Sequence, residues 1–480
     1  MPPNTPPPSP TVSENVEEDV LEEEDVVEVI DLDNIEEVIE EDGRENEMSF
    51  DDDTEPTFTQ ENGASFQTKT VEVNSEVLFS QHKGSVFTCD ISPNSLVPIA
   101  VSGGEDDRAF IWNWKTGEVV SELGSSNQNV MNFKDSVVFA RFNKDGTLVA
   151  AADMSGVIKV WRIPKCFQDA NNSLASPTVF QINIEPLWKF ETSDISWLGW
   201  HRGAPNVLFA GTEDSELWMW KVPSGDSKVY MGRGEKVETA IIMPDGKRIA
   251  VAYGDGSIKM FDLKTGEVLN NFSHYDKNTI SSESDTPSSG MPVASLDVRS
   301  EGGGQILASG GVNGIAKMYN TQTSKPIGTL VCAASNSRET EESDMPNKTT
   351  VEAVLFSNLD QNTIITGTLS GIVTIWDVST QVSRHATNVG DGVVKIMYRK
   401  VAQQNPTQIF VATLDGVIRI LDTRTGKVIG DCSGHTAGIL DICQSLDGSI
   451  LISSSDDGDC RVFDVEKVLN DKSVCMESSQ

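Results

Sequence analysis

Five histidines and seven cysteines are the side chains with which this chain of 480 residues could do acid–base, nucleophilic or metal chemistry, and their spacing supports none of it. His82, His201, His274, His385 and His435 are scattered, and none stands in the His-Glu-x-x-His pattern that turns two imidazoles toward one metal. Cys89, Cys166, Cys332, Cys432, Cys443, Cys460 and Cys475 are odd in number and form no Cys-x-x-Cys pair, so neither structural zinc nor a disulfide framework is expected. No Gly-x-x-x-x-Gly-Lys-Ser/Thr phosphate loop and no Gly-x-Ser-x-Gly nucleophile turn is present. Gly302-Gly303-Gly304 and Gly310-Gly311 flank a strand-like run with no helix to follow, and read as turns. The expectation is a protein without catalytic residues, metal or cofactor.

Carboxylates are the abundant functional type. Seventy-three Asp and Glu oppose 37 Lys and Arg, for a net charge of −36. Such a chain repels nucleic acid and anionic membrane and attracts basic partners. No apolar stretch approaches the roughly 18 residues that a membrane span needs, and a cytoplasmic location, shared with the nucleus, is expected. From Met1 to Ser75 there are 24 acidic side chains against Arg44 and Lys69, a local net charge of −22. With almost no aromatic residues to bury, residues 1–75 are expected to be a disordered acidic tail. Within it Val29-Ile30-Asp31-Leu32 is a candidate strand-addition motif of the SUMO-interacting form, unless the stretch is simply part of a solvated acidic tail.

Beyond the tail, the chain repeats. The segment Gly434 to Asp464 opens on Gly-His, carries three apolar runs of strand length, turns at Asp456-Asp457-Gly458 and closes on Phe463-Asp464. This is the signature of a WD40 propeller blade. Aligned on the closing residue, eight units end at Trp112, Trp161, Trp220, Phe261, Tyr319, Trp376, Leu421 and Phe463. Six positions before each stands a turn-former, Asp106, Ser155, Asp214, Asp255, Asn313, Ser370, Asp415 or Asp457, and the next position is Gly in six of the eight units. Five after the anchor come Gly117, Gly225, Gly266 and Gly426, a second turn leading to an outer strand. The fold expected is all-β, an eight-bladed WD40 propeller over 76–466, with a C-terminal tail at 467–480. Blade eight lacks its own outer strand, so Val77-Leu78-Phe79 is expected to complete it and close the ring. Polar insertions are expected as surface loops at Lys165 to Pro186, Asn270 to Gly290 and Cys332 to Lys348. Trp218 and Trp220, flanking Met219 in what reads as an inner strand, are expected in the core, whereas Trp197 and Trp200 fit either core or a docking surface.

Several stretches are more specific than the repeat. Ser102-Gly103-Gly104-Glu105-Asp106-Asp107, Asp153-Met154-Ser155-Gly156, Gly211-Thr212-Glu213-Asp214, Trp218-Met219-Trp220-Lys221-Val222-Pro223, Pro244-Asp245-Gly246-Lys247-Arg248 and Gly434-His435-Thr436-Ala437 resemble the angio-associated migratory cell protein family. The resemblance covers Val77 to Asp464. It implies a cytoplasmic eight-bladed propeller; a fungal member is a dedicated chaperone of the large-subunit ribosomal protein called L-ten, or universally L-sixteen, and animal members are tied by name to cell migration. The longer loops at Lys165 to Pro186 and Asn270 to Gly290, and the missing Gly-His of blade two, depart from the family pattern.

The turns between second and third strands line a propeller's rim, and here they carry Glu105, Asp106, Asp107, Asp153, Glu213, Asp214, Asp255, Asp415, Asp456 and Asp457. The expected ligand is a basic segment of a large-subunit ribosomal protein, held by a monomeric propeller. Asp106, Asp214, Asp255, Asp415 and Asp457 have a competing duty, bracing their own turns, and His82 and His435 stand where a WD40 histidine does the bracing. Glu105, Glu213 and Asp456 lie one position earlier and are expected to be free for a client. A signalling scaffold and a substrate receptor of a ubiquitin ligase are the alternatives. A chaperone for a basic client should itself be acidic, whereas a scaffold has no such need.

Overall fold

The glycine columns become hairpins. Gly156, Gly256, Gly314, Gly371, Gly416 and Gly458 have φ between +75° and +93°, and Gly117, Gly225, Gly266 and Gly426 between +68° and +82°. The non-glycine residues with left-handed backbone among the described residues are Asp107, Ser215, Ser324 and Gln381, at +58° to +71°, and all four occupy the same two columns. Local turn geometry is therefore set by the repeat and imposed on whatever residue falls there. A side chain in this region costs roughly 1 kcal/mol relative to glycine. Asp107→Gly should accordingly raise thermal stability by about 0.5–1 kcal/mol, read as a higher melting midpoint; an unchanged or lower midpoint would mean that the Asp107 side chain supports the turn.

The computed structural model describes residues 73–94, 97–123, 133–164, 184, 186–275, 291–299, 305–332, 349–357, 360–400 and 407–477. Eight four-stranded antiparallel sheets follow one another along the chain, each touching the next and the eighth touching the first. The blades span 86–123, 137–191, 195–231, 237–273, 293–331, 351–388, 393–432 and 439–464. The eighth is completed by Val77–Phe79, which pairs antiparallel with the strand Cys460–Asp464 (Val77 with Val462, Phe79 with Cys460). All eight closing residues are buried between blades. At the seam Phe79 stacks on Trp112 with centroids 4.5 Å apart, inside a cluster that includes Ile452 and Val462.

Several expectations shift. Contacts of the ring begin at Asn74, whose side chain accepts from Ser433 N at 2.9 Å and donates to Asp431 O at 2.7 Å, so residues 74 and 75 belong to the propeller. The insertion at Lys165 to Pro186 ends in a strand, Pro186–Glu191, which is the outermost strand of blade 2. Asn270 to Ser273 are strand as well, the end of Val268–Ser273, and Cys332 is buried in a core cluster. Apart from Ile184, His274 and Tyr275, the remainder of these insertions lies outside the described residues, as do the Gly302-Gly303-Gly304 run and the motif Val29-Ile30-Asp31-Leu32. Gly310 and Gly311 are strand, not turn: a Cβ on Gly310 would sit 2.4 Å from Ser295 Oγ, so close packing excludes a larger residue. The expected C-terminal tail begins inside a helix, Val465–Glu477, whose Val465 and Val468 close the core of blades 7 and 8.

The innermost strands share a device with no sequence signature. Each of the eight carries a one-residue bulge at its second position, between Val86 and Thr88 in blade 1 and at the equivalent pair in every other blade. Bulges sharpen the local twist. Around the channel, side chains of one inner strand then bond the free edge of the next: Asp90 accepts from Phe142 N at 2.8 Å, Asp297 from Phe356 N at 2.6 Å, and Ser295 donates to Val351 O at 2.9 Å. Asp441 of blade 8 is clamped by Arg141 of blade 2 at 2.9 Å and Lys395 of blade 7 at 2.7 Å. Burial raises the Asp441 carboxyl, but the two cations outweigh it and hold it at about 2.

Candidate functional site

The turns between second and third strands meet the connections between blades on one face, here called the rim face. His82 in the connection into blade 1 takes Asp106 Oδ1 at 2.9 Å through Nδ1, and its Nε2 lies 2.9 Å from Ser102 Oγ. His435 repeats the arrangement with Asp457 at 2.9 Å and Ser453 at 2.7 Å. An ionised carboxylate only accepts, so Nδ1 donates to it; Nε2 accepts from the serine when the imidazole is neutral and donates to it when the ring is charged. Asp106 and Asp457 are therefore bound into their own turns, as the histidine spacing suggested. Asp153 is fully buried, accepting from Lys134 N at 2.9 Å and Val157 N at 2.7 Å, and presents nothing to a ligand. Asp415 is paired with Arg419 at 2.5 Å. Asp255 accepts from Ser257 N at 2.8 Å yet stays exposed.

The other candidates divide. Glu213 and Asp214 are exposed and have no side-chain partner among the described residues, so Asp214 escapes the bracing duty of its column. Glu105 and Asp456 are exposed but not idle: Glu105 accepts from Ser85 N at 3.0 Å and Asp456 from Ser85 Oγ at 2.5 Å. They thus converge from blades 1 and 8 on one connection. The expectation that both were free of structural work is corrected accordingly.

Asp107 is exposed at the junction of blades 1 and 2. Burial, then Asp135, Asp106 and Asp153, push its carboxyl upward, and no cation answers them. Asp135 and Asp194, in the connections into blades 2 and 3, add exposed carboxylates to the same face. Sequence comparison of the turns alone missed both, although their position just before an inner strand was the available signal. At the turn column blades 5 and 6 carry Asn313 and Ser370 instead. Blade 2 carries Ser155 at that column, so its exposed charge comes from Asp135, while Asp255 in blade 4 and Asp391 in the connection into blade 7 extend the exposed carboxylates around the ring. Trp197 and Trp200 do not form a docking surface: Trp197 packs against the core of blades 3 and 4, and Trp200 donates to Arg141 O at 3.0 Å. Trp220 is buried, and Trp218, half-buried, stacks on it with centroids 5.5 Å apart on the third strand of the blade.

The braced turns make acid stability predictable. Burial raises Asp457, but the His435 hydrogen bond and charge bring it down to about 2. A carboxyl with a depressed folded pKa contributes stability above its unfolded value near 3.8, and loses it as pH falls toward 2. Between pH 4 and pH 2 the melting temperature of Asp457→Asn should therefore fall less steeply than that of the wild type; parallel slopes in a pH series of thermal melts would contradict this.

With this geometry in place, known proteins give the family. The WD domain, G-beta repeat model matches residues 74–113, 127–162 and 426–464, and the anaphase-promoting complex subunit 4 WD40 domain model matches 205–284. Angio-associated migratory cell protein of Homo sapiens is 34% identical over 398 residues, covering 82% of this chain and 81% of that protein, and the Canis lupus familiaris protein matches at the same identity over 80% of its length. This chain belongs to the angio-associated migratory cell protein family. Its fold is also that of Sqt1: the Saccharomyces cerevisiae structure superposes with a TM-score of 0.65 at 19% identity, covering 82% of this chain and all of that one. Chaetomium thermophilum Sqt1 bound to the N-terminus of the ribosomal protein L10 superposes equally well, at 0.65 and 19%. At that identity the likeness is one of fold.

Proposed function

We propose that this family member is a non-catalytic holder of an extended basic protein segment, and that its client is a large-subunit ribosomal protein of the L10 kind. The observation that carries the reading is the unanswered charge at Asp107, Asp135, Glu213 and Asp214. Exposed carboxylates that have no cationic partner of their own attract a cation brought from outside. The Sqt1 complex supports the choice of client, because a propeller of the same fold holds the N-terminus of L10. The histidines that an enzyme would use are bound into structural hydrogen bonds at His82 and His435.

The test is a titration of the full chain with a synthetic peptide of the L10 N-terminus, by calorimetry or fluorescence anisotropy. Binding at low salt that weakens at least about tenfold between 50 and 500 mM salt is expected, since exposed charges lose their reach over roughly a Debye length. No binding at 50 mM salt, or binding indifferent to salt, would overturn the reading.

A further inference from the structure

The rim has a second chemical half, which the acidic half conceals in a simple count of charges. The residue just before each turn column is Glu105, Met154, Glu213, Gly254, Val312, Leu369, Leu414 and Asp456 in blades 1 to 8. Seven of these positions have their backbone N–H bonded to the neighbouring connection, at 2.8–3.0 Å (Glu105 to Ser85 O, Leu414 to Gly392 O and their equivalents), and Val312 N donates instead to Tyr275 Oη at 3.2 Å. Seven side chains, blade 4 having Gly254 there, are therefore launched from equivalent points around the rim. Blades 8, 1 and 3 present carboxylates there, whereas blades 5, 6 and 7 present Val312, Leu369 and Leu414. Leu414 is 41% exposed. It adjoins Leu369 across Gly392: a Cβ on that glycine would lie 2.9 Å from Leu414 Cδ1 and 3.4 Å from Leu369 Cδ2. An aliphatic stretch thus continues the acidic one on the same rim, with the exposed Asp391 at its edge, and Met154, exposed between the carboxylates of blades 1 and 3, is an apolar side chain within the acidic stretch.

We infer that the rim reads a two-part segment, with basic side chains on the carboxylate arc and one or two aliphatic side chains on Leu369 and Leu414. The inference rests on the proposed function and narrows its client. Charge alone would accept any polycation, while an apolar contact at a fixed position discriminates among them. Continuity of the arc with the acidic rim identifies the occupant as the same segment and not a separate partner.

The probes are three synthetic peptides titrated into the full chain: an arginine block alone, and the same block with two leucines added at its N-terminal or its C-terminal end. A gain of about tenfold over the plain block is expected for at least one leucine peptide, from partial burial of two leucyl side chains. That gain should vanish in Leu369→Ser/Leu414→Ser and shrink in Leu414→Ser alone, which changes only an exposed residue and keeps the test valid if the double variant folds poorly. Plain-block binding should be the same in all three proteins. If the plain block binds but neither leucine peptide gains, or if the gain survives in Leu414→Ser, the inference is wrong and the proposed function stands. If no peptide binds, both fall.

Discussion

Removing residues 1–72 should leave the melting temperature of the propeller unchanged within about 2 °C, whereas removing residues 1–81 should lower it by about 6 °C or more. The second cut deletes Phe79, buried and stacked on Trp112, together with the strand pairing to Cys460–Val462. It also deletes the links from Asn74 to Ser433, from Ser75 to Arg461 and from Glu76 to Lys467. Losing a buried aromatic costs about 3–5 kcal/mol, and an opened sheet edge adds to that. At about 2 cal/mol/K of unfolding entropy per residue, a loss of some 5 kcal/mol in a propeller of this length corresponds to a shift near 6 °C. The first cut must stop before Val73, because Asn74 and Ser75 are already engaged. Equal midpoints for the two proteins would show that blade 8 is held without its fourth strand.

The largest effect on binding is expected from Asp107→Asn/Glu213→Lys/Asp214→Lys. These three carboxylates are exposed and have no cationic partner, so their change removes attraction without breaking a turn. Asparagine is chosen at 107 because it tolerates the left-handed backbone there. Each charge-assisted bond to Arg or Lys is worth roughly 1.5–3 kcal/mol, so losing two of them should weaken binding of the L10 peptide at least about a hundredfold at low salt. The melting temperature should stay within a few degrees. Reversing Asp106 or Asp457 would be a poor substitute, since each is bonded to a histidine and its loss would weaken the fold itself. Client binding that survives the triple variant in a folded protein would place the site on another face.

The architecture was legible because the repeat writes the same instruction eight times. Anchors, glycine columns and the missing outer strand of blade 8 were each enough to place a turn or a strand. The site was only partly legible. A carboxylate's residue type says nothing about its partner, and Asp153, Asp214 and Asp415 look alike in sequence while one is buried, one free and one paired with Arg419. The bulges lie within each blade's own first hairpin and carry no residue type that marks them, whereas the Arg141–Asp441 bond depends on which inner strands become neighbours when the ring closes, a relation across 300 residues. The insertions misled at their ends, where Pro186–Glu191 and Asn270 to Ser273 are strand despite a polar or proline-marked start.

The strand that completes blade 8 is among the first parts of the propeller to leave the ribosome, and its partner at Cys460–Val462 is among the last. During synthesis Val77-Leu78-Phe79 must wait, unpaired and apolar, while seven blades are made. An unpaired edge of that composition invites aggregation, and the device proteins use against it is flanking charge. The 25 acidic side chains that precede it, Glu76 included, supply such charge from the moment the strand emerges. Like charge of that density on every nascent chain would oppose edge-to-edge pairing between chains until the final strand is made and the ring can shut.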